Sequence, residues 1–99
     1  MKDFNKRCYE LLKTVPKGKV TTYKEIASAS NTKAYRAVGS AMRKNQNAPI
    51  IPCHRVIKSD GKIGMYSGGI KKKIKLLEKE GIEIINNKID LDKYLFIFE

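Results

Sequence analysis

At 99 residues, 41% hydrophobic and 31% charged with a formal charge of +11, the chain is shorter than a typical domain and reads as one compact globular unit, not a disordered one. No apolar run approaches the ~20 residues of a bilayer span, and the start, MKDFNKRCYELL, lacks the apolar core of a secretory signal. Two cysteines and one histidine exclude a disulfide framework and a four-ligand Cys/His zinc site.

Phe4, Cys8, Leu11, Leu12 and Val15 recur at helical spacing behind Asp3, a predicted N-cap, and Pro16 ends that helix. Lys17-Gly18-Lys19 makes a turn. Thr22-Tyr23-Lys24-Glu25 has the capping-box form and opens a short helix through Ile26 and Ala27. Ser28 to Asn31 is a polar break, after which Asn31 or Thr32 caps a second helix running to about Lys44. Two short helices across a tight turn predict a helix-turn-helix. On the second helix Ala34, Val38, Ala41 and Met42 share a core face, and Lys33, Arg36, Ser40, Arg43 and Lys44 share the opposite one. Ala37 and Gly39 flank that polar side with little bulk, so another surface can approach closely; an ordinary solvated face has the same pattern.

Asn45 to Ile51 is a loop leading into Pro52-Cys53-His54-Arg55-Val56-Ile57. Ser59-Asp60-Gly61 is a turn, and residues 64–69 form a glycine-rich loop with neither P-loop nor dinucleotide spacing. Ile70, Ile74 and Leu77 set the buried stripe of a third long helix, with Lys71, Lys72, Lys75 and Lys79 off it and Gly81 stopping it. Ile82 to Leu91, with Asn86-Asn87 at its middle, predicts a hairpin, and Tyr94 to Phe98 is an apolar closing segment. The expected fold class is mainly α with a small β hairpin, a winged-helix-like helix-turn-helix in a single domain over residues 1–99.

Residues 1–80 carry 19 basic and 6 acidic side chains, and residues 81–99 carry 2 and 4, so the body of the chain is positive and its end is not. That fits a polyanion, nucleic acid before membrane, because no segment is both strongly basic and strongly apolar on one face. Cys53 beside His54 is the most pointed local feature. A thiol becomes a useful nucleophile when a base or cation lowers its pKa, and His54 and Arg55 are adjacent. A buried, inert cysteine is the commoner outcome for such a pair taken alone. Glu80 sits in the last turn of its helix, where the dipole disfavours a carboxylate. A solvated surface glutamate gives the same pattern, although rule-breaking residues are enriched at functional sites.

Together these residues resemble the O6-alkylguanine-DNA alkyltransferase family, from about Phe4 to the C-terminus. Val15-Pro16-Lys17-Gly18-Lys19-Val20-Thr21-Thr22-Tyr23 resembles the family's approach to its helix-turn-helix, and Arg36-Ala37-Val38-Gly39 its recognition-helix signature. Pro52-Cys53-His54-Arg55-Val56-Ile57 resembles its active-site hexapeptide, followed at the expected distance by Tyr66-Ser67-Gly68-Gly69 and Leu76-Leu77-Glu78-Lys79-Glu80-Gly81. The resemblance implies a DNA repair methyltransferase, active without cofactor or metal as a monomer. It would bind double-stranded DNA containing O6-alkylguanine through the minor groove and flip the base. The alkyl group would then pass irreversibly to Cys53, once per molecule.

The resemblance also implies roles for single residues. His54, through a water, accepts the thiol proton; Glu80 orients His54; Tyr23 donates toward N3 of guanine; Asn45 braces the turn ahead of the active-site strand. Arg36 fills the vacated stack, with Ala37, Gly39, Ser40, Arg43 and Lys33 on the DNA-binding face. Val56, Tyr66, Ser67 and Met42 form the base pocket, with the Cys53 and Val56 carbonyls reading the exocyclic amine. Two departures stand out. The family's usual N-terminal domain is expected to be absent, which would leave a C-terminal catalytic domain alone, and Asn45-Gln46-Asn47-Ala48-Pro49 replaces a more proline-rich stretch. The cell interior is the expected location, cytoplasmic in a prokaryote or nuclear in a eukaryote, with no membrane contact and no Cys8–Cys53 disulfide.

A second reading is an alkyltransferase-like protein, which binds alkylated guanine and recruits other repair machinery without transfer. Such proteins share this short length but typically carry Trp in place of the nucleophile, so Cys53 favours the enzyme and length the binder. A plain helix-turn-helix transcription factor would not require PCHRV and would read the major groove.

Overall fold

The computed structural model describes residues 2–45, 50–64, 66 and 69–98, with the backbone alone for residues 2 and 3. Helix α1 (Lys2–Lys13) buries Cys8 and Leu12, and Val15 follows them into the core just past its end. It begins one residue ahead of Asp3, which therefore lies inside the first turn and not at the cap position. The Tyr9 hydroxyl donates to the Ala41 carbonyl at 2.6 Å and ties α1 to the second helix of the helix-turn-helix.

Strand β1 (Thr21–Thr22) leads directly into α2 (Tyr23–Ala29), whose N-cap Thr22 accepts from the Glu25 amide at 3.0 Å. Asn31 ends this helix in the left-handed region, at φ 61°. The expected cap of the next helix is displaced by this geometry. Thr32 Oγ1 accepts from the Ala34 amide in a local turn, and α3 (Tyr35–Arg43) starts three residues later from Ala34, with no side-chain cap. Ala34 is therefore exposed, while Val38, Ala41 and Met42 form the buried face.

A 3-10 turn (Cys53–Arg55) precedes strand β2 (Val56–Ile57), so Cys53 sits on a turn and not on a strand. The sheet is a parallel pair, with Thr21 opposite Val56 and Thr22 opposite Ile57. The helix-turn-helix is the crossover between its strands. The expected hairpin shrinks to its turn: Asn86 (φ 54°) and Asn87 (φ 61°) sit between Ile85 and Lys88, which exchange both backbone bonds at 3.0 Å. Beyond that turn the backbone pairs elsewhere, Ile89 N–H with Gly61 C=O at 2.8 Å and Ile63 N–H with Asn87 C=O at 3.2 Å. A Cβ on Gly61 (φ 90°) would come within 2.8 Å of the Ile89 oxygen, so glycine is needed there.

Helix α4 (Ile70–Lys79) buries Lys73 and Leu77, whereas Ile70, expected in the stripe, is 47% exposed at the first position of the helix. A short helix, α5 (Leu91–Tyr94), precedes the end of the chain, where Val20 bonds to Tyr94 C=O and Phe96 N–H. Two hydrophobic clusters result. One joins α1, α2, α3, Ile51, Cys53 and Val56; the other joins Val20, Ile57, Ile63, Leu77, Ile82 and Ile89. The closing segment touches both, Leu91 and Tyr94 on the second and Phe96 and Phe98 on the first. The molecule is mostly helical with one small sheet.

Candidate active site

A cleft of about 570 Å³ opens between the helix-turn-helix and the segment after β2. Tyr23 enters it from the first turn of α2, and Tyr35, Arg36, Gly39, Met42 and Arg43 enter from one side of α3. Lys58, Gly64 and Tyr66 form the other wall, and Cys53 lines the cleft while only 4% exposed, which puts its thiol at the floor. Cys8, also free and buried, lies away from it on α1.

Behind Cys53 runs a chain of ionisable groups. His54 Nε2 lies 2.9 Å from Glu80 Oε2, and Arg55 grips the same carboxylate twice, Nε to Oε1 at 2.9 Å and Nη2 to Oε2 at 2.7 Å. Arg55 Nη1 also donates to the Val15 carbonyl at 2.8 Å, which anchors the group to the end of α1. Glu80 is the C-cap of α4, where it faces the Arg55 guanidinium and the His54 ring and not open solvent. Burial works to raise its pKa, but Arg55 and then His54 outweigh that and hold it below the usual carboxylate range. His54 is 2% exposed. Burial lowers its pKa more than Glu80 raises it, so the ring is neutral at neutral pH, and Nδ1 is buried without a protein partner among the described residues.

The Cys53 thiol departs from expectation. Burial pushes its pKa up, and the groups that pull it back are the Asn45 side chain and Lys73, not His54 or Arg55. The resting thiol is thus protonated at neutral pH. Asn45, itself buried, donates from Nδ2 to Ile51 C=O at 2.8 Å and reaches the thiol as well. Tyr23 also keeps its proton: burial, then the Cys53 charge, raise its pKa against Arg43.

Lys73 is absent from the sequence expectations. It is fully buried, donates from Nζ to Val56 C=O at 2.6 Å, and burial brings its pKa down to about 8. A Cβ on Gly64 (φ 79°) would lie 3.4 Å from Lys58 Cγ, 3.7 Å from Tyr23 Oη and 3.8 Å from Lys73 Nζ, so these groups share one wall. The sequence signal for Lys73 is its spacing: it stands four residues before Leu77, on the apolar stripe. Val56 belongs to the core and not to the cleft; it is fully buried, does not line the cavity, and its carbonyl accepts from Lys73.

Of the remaining expected residues, Tyr66 lines the cleft and meets the His54 ring edge to face, with centroids 6.4 Å apart. Ser67 lies outside the described residues, as does the loop after Asn45 up to Pro49. Arg36 and Arg43 are exposed on the cleft, and beyond its own helix no atom of the described residues lies within 4 Å of a Cβ added to Gly39. Ala37, Ser40 and Lys33 do not line the cleft; Ala37 and Ser40 are partly buried beside the exposed face, and Lys33 is exposed in the turn before α3. Among the described residues no group of three or more His, Cys, Asp or Glu side chains could hold a metal ion.

This geometry has known counterparts. Residues 3–82 match the 6-O-methylguanine DNA methyltransferase family through its DNA binding domain, and the chain belongs to that family. It is 48% identical over 89 residues to a bifunctional methyltransferase/endonuclease of Picrophilus torridus, covering 89% of this chain and 30% of that protein. It is 51% identical over 81 residues to a methylated-DNA–protein-cysteine methyltransferase of Thermococcus kodakarensis, covering 81% and 45%. The chain thus spans less than half the length of these curated relatives. Among solved structures, Mycobacterium tuberculosis OGT in complex with DNA is similar at TM-score 0.76 and 47% identity, over 79% of this chain and 49% of that one. Schizosaccharomyces pombe Atl1, in complex with damaged DNA containing O6-carboxymethylguanine, matches at TM-score 0.87 and 33% identity, over 97% and 96%.

Proposed function

We propose that the chain repairs DNA by moving a methyl or larger alkyl group from O6 of guanine onto Cys53, once per protein molecule. The observation that carries this reading is a buried thiol at the floor of an open cleft, backed by a neutral histidine whose carboxylate partner is anchored by Arg55. The family membership and the DNA complexes of the two similar structures support double-stranded DNA carrying O6-alkylguanine as the partner.

In this reading the face of α3 enters the minor groove, Gly39 and Ala37 keeping the approach free of bulk. Arg36 fills the stack vacated by the flipped guanine, and Lys33, Ser40 and Arg43 contact the strands. His54 Nδ1, acting across a bridging water, takes the Cys53 proton, and Glu80 stabilises the imidazolium. The Sγ–carbon bond forms as the O6–carbon bond breaks. The electron pair stays on guanine, which takes a proton at N3 from Tyr23, and the phenolate is reprotonated from solvent. Tyr66, Ser67 and Met42 surround the base. The thioether is stable, so turnover ends there.

A second reading, a binder that flags alkylated guanine without transfer, is favoured by one observation: Atl1 matches along 96% of its own length. Mixing the protein with an excess of duplex containing O6-methylguanine and counting the lesions lost separates the two. One lesion should vanish per protein molecule, none with Cys53→Ser, and one again with Cys8→Ser. Tight lesion binding with no loss by the unmodified protein would establish the binder instead.

A further inference from the structure

Tyr35 is a half-exposed aromatic residue on the cleft-lining side of α3, immediately before Arg36, and takes no part in the transfer chemistry. Its neighbours define the surface around it. Tyr35, Gly39 and Arg43 stand at i, i+4 and i+8, so they form one row along the helix. Gly39 leaves the middle of that row empty: apart from the backbone of its own helix, no atom of the described residues lies within 4 Å of an added Cβ. A flat group entering over Gly39 toward Cys53 therefore passes between an aromatic ring and a guanidinium. Met42, beside Tyr35 on the helical wheel and 6% exposed, continues the same wall toward the floor.

We propose that Tyr35 is the outer aromatic wall of the base pocket, packing its ring on the face of the flipped guanine at the cleft mouth. This rests on the base-flipping reading above. Flipping strips a purine of both stacking partners. Both side chains line the cleft; Arg36 stands about 100° around the helix from Tyr35 and takes the gap left in the duplex in that reading, while Tyr35 shares its row with Gly39 and Arg43 and meets the base itself. The ring makes the lesion-bound state tighter without touching the reacting atoms, which makes Tyr35 a positioning residue.

The test compares Tyr35→Phe, which keeps the π face, with Tyr35→Leu, which keeps apolar bulk alone. Binding is read by fluorescence anisotropy on duplexes with and without one O6-methylguanine, in a Cys53→Ser background so that transfer plays no part. Tyr35→Leu should lose about tenfold of the preference for the lesion duplex, the size of one base–aromatic stack, while Tyr35→Phe keeps it and both bind undamaged duplex unchanged. With Cys53 present, Tyr35→Leu should also raise the concentration of free O6-benzylguanine needed for half-maximal transfer, leaving the limiting rate intact. Equal weakening on both duplexes would make Tyr35 an ordinary groove contact and overturn the proposal, as would full retention by Tyr35→Leu. Absence of transfer from the unmodified protein would overturn the enzymatic reading alone, because the anisotropy arm still decides the role of Tyr35.

Discussion

The Glu80 carboxylate serves Arg55 and His54 at once, and that sharing gives the site a pH signature. His54 must be neutral to accept a proton, so transfer should fall on the acid side as the pH drops through a pKa that burial holds below the usual histidine value. Glu80 pulls that pKa up and Arg55 pulls it down. Glu80→Gln should therefore move the acid limb to lower pH and Arg55→Gln should move it to higher pH. Both should slow transfer near neutrality, Glu80→Gln by roughly a hundredfold, the low end of what a positioned base contributes. The Glu80→Gln loss should partly recover toward alkaline pH, where the thiol ionises unaided. Single-turnover rates against pH check this, and superimposable profiles for the three proteins would remove the relay. The pairing of Glu80 with His54 is visible in the sequence only through the family resemblance. Glu80 stands 26 positions from His54, and local rules say merely that a carboxylate is misplaced at a helix end.

Among the elements, α4 carries the most consequential departure from its pattern. Its sequence reads as apolar positions among lysines, and Lys73 is drawn inside because its ammonium finds the Val56 carbonyl at the back of the sheet. The folded pKa of about 8 lies below the 10.5 of an unperturbed lysine, so between those values the unfolded chain binds more protons and stability rises with pH. Compared with Lys73→Met by urea unfolding at pH 7.5 and pH 10, the chain with Lys73 should gain about 2 kcal/mol on the variant as pH rises, at about 1.4 kcal/mol per unit. Both proteins carry Cys53→Ser for this comparison, because Lys73 acts on that thiol and its titration would otherwise differ between them. Parallel stability curves would mean that Lys73 titrates alike in the folded and unfolded chain, so that burial does not lower its pKa. A second element test is Gly61→Ala, where a positive φ and the Ile89 oxygen at 2.8 Å predict a loss of about 1–3 kcal/mol in the same assay. An unchanged midpoint would show that this turn can relax.

Helices α1 and α2 were legible because their signals are local: a 3.6-residue stripe through Cys8 and Leu12, and Thr22 three residues ahead of Glu25. The sheet was not. Its strands are two residues long and pair Thr21 with Val56 across the whole helix-turn-helix, so neither strand has a period to read. The Asn86-Asn87 turn was legible for the same local reason that its flanks were not, since the partners of 87–89 lie at 61–63.

At the scale of the molecule, charge and mechanism meet on one face. The positive body and the exposed Arg36 and Arg43 at the cleft predict binding to duplex that falls steeply with salt, at least tenfold between 50 and 200 mM if several phosphates are contacted. A flat response in a titration would leave the charge surplus without a partner. The site's core was legible as a run, Pro52 to Ile57, whereas the cleft around it draws on α2, α3 and the segment after β2 and could be assembled only in three dimensions. The most direct test of the account is the intact mass of the protein after mixing with duplex DNA containing O6-methylguanine. A gain of one methyl group is expected, mapped to Cys53 and absent in Cys53→Ser. An unchanged mass on a protein that still binds the lesion, or a methyl group on Cys8, would contradict it.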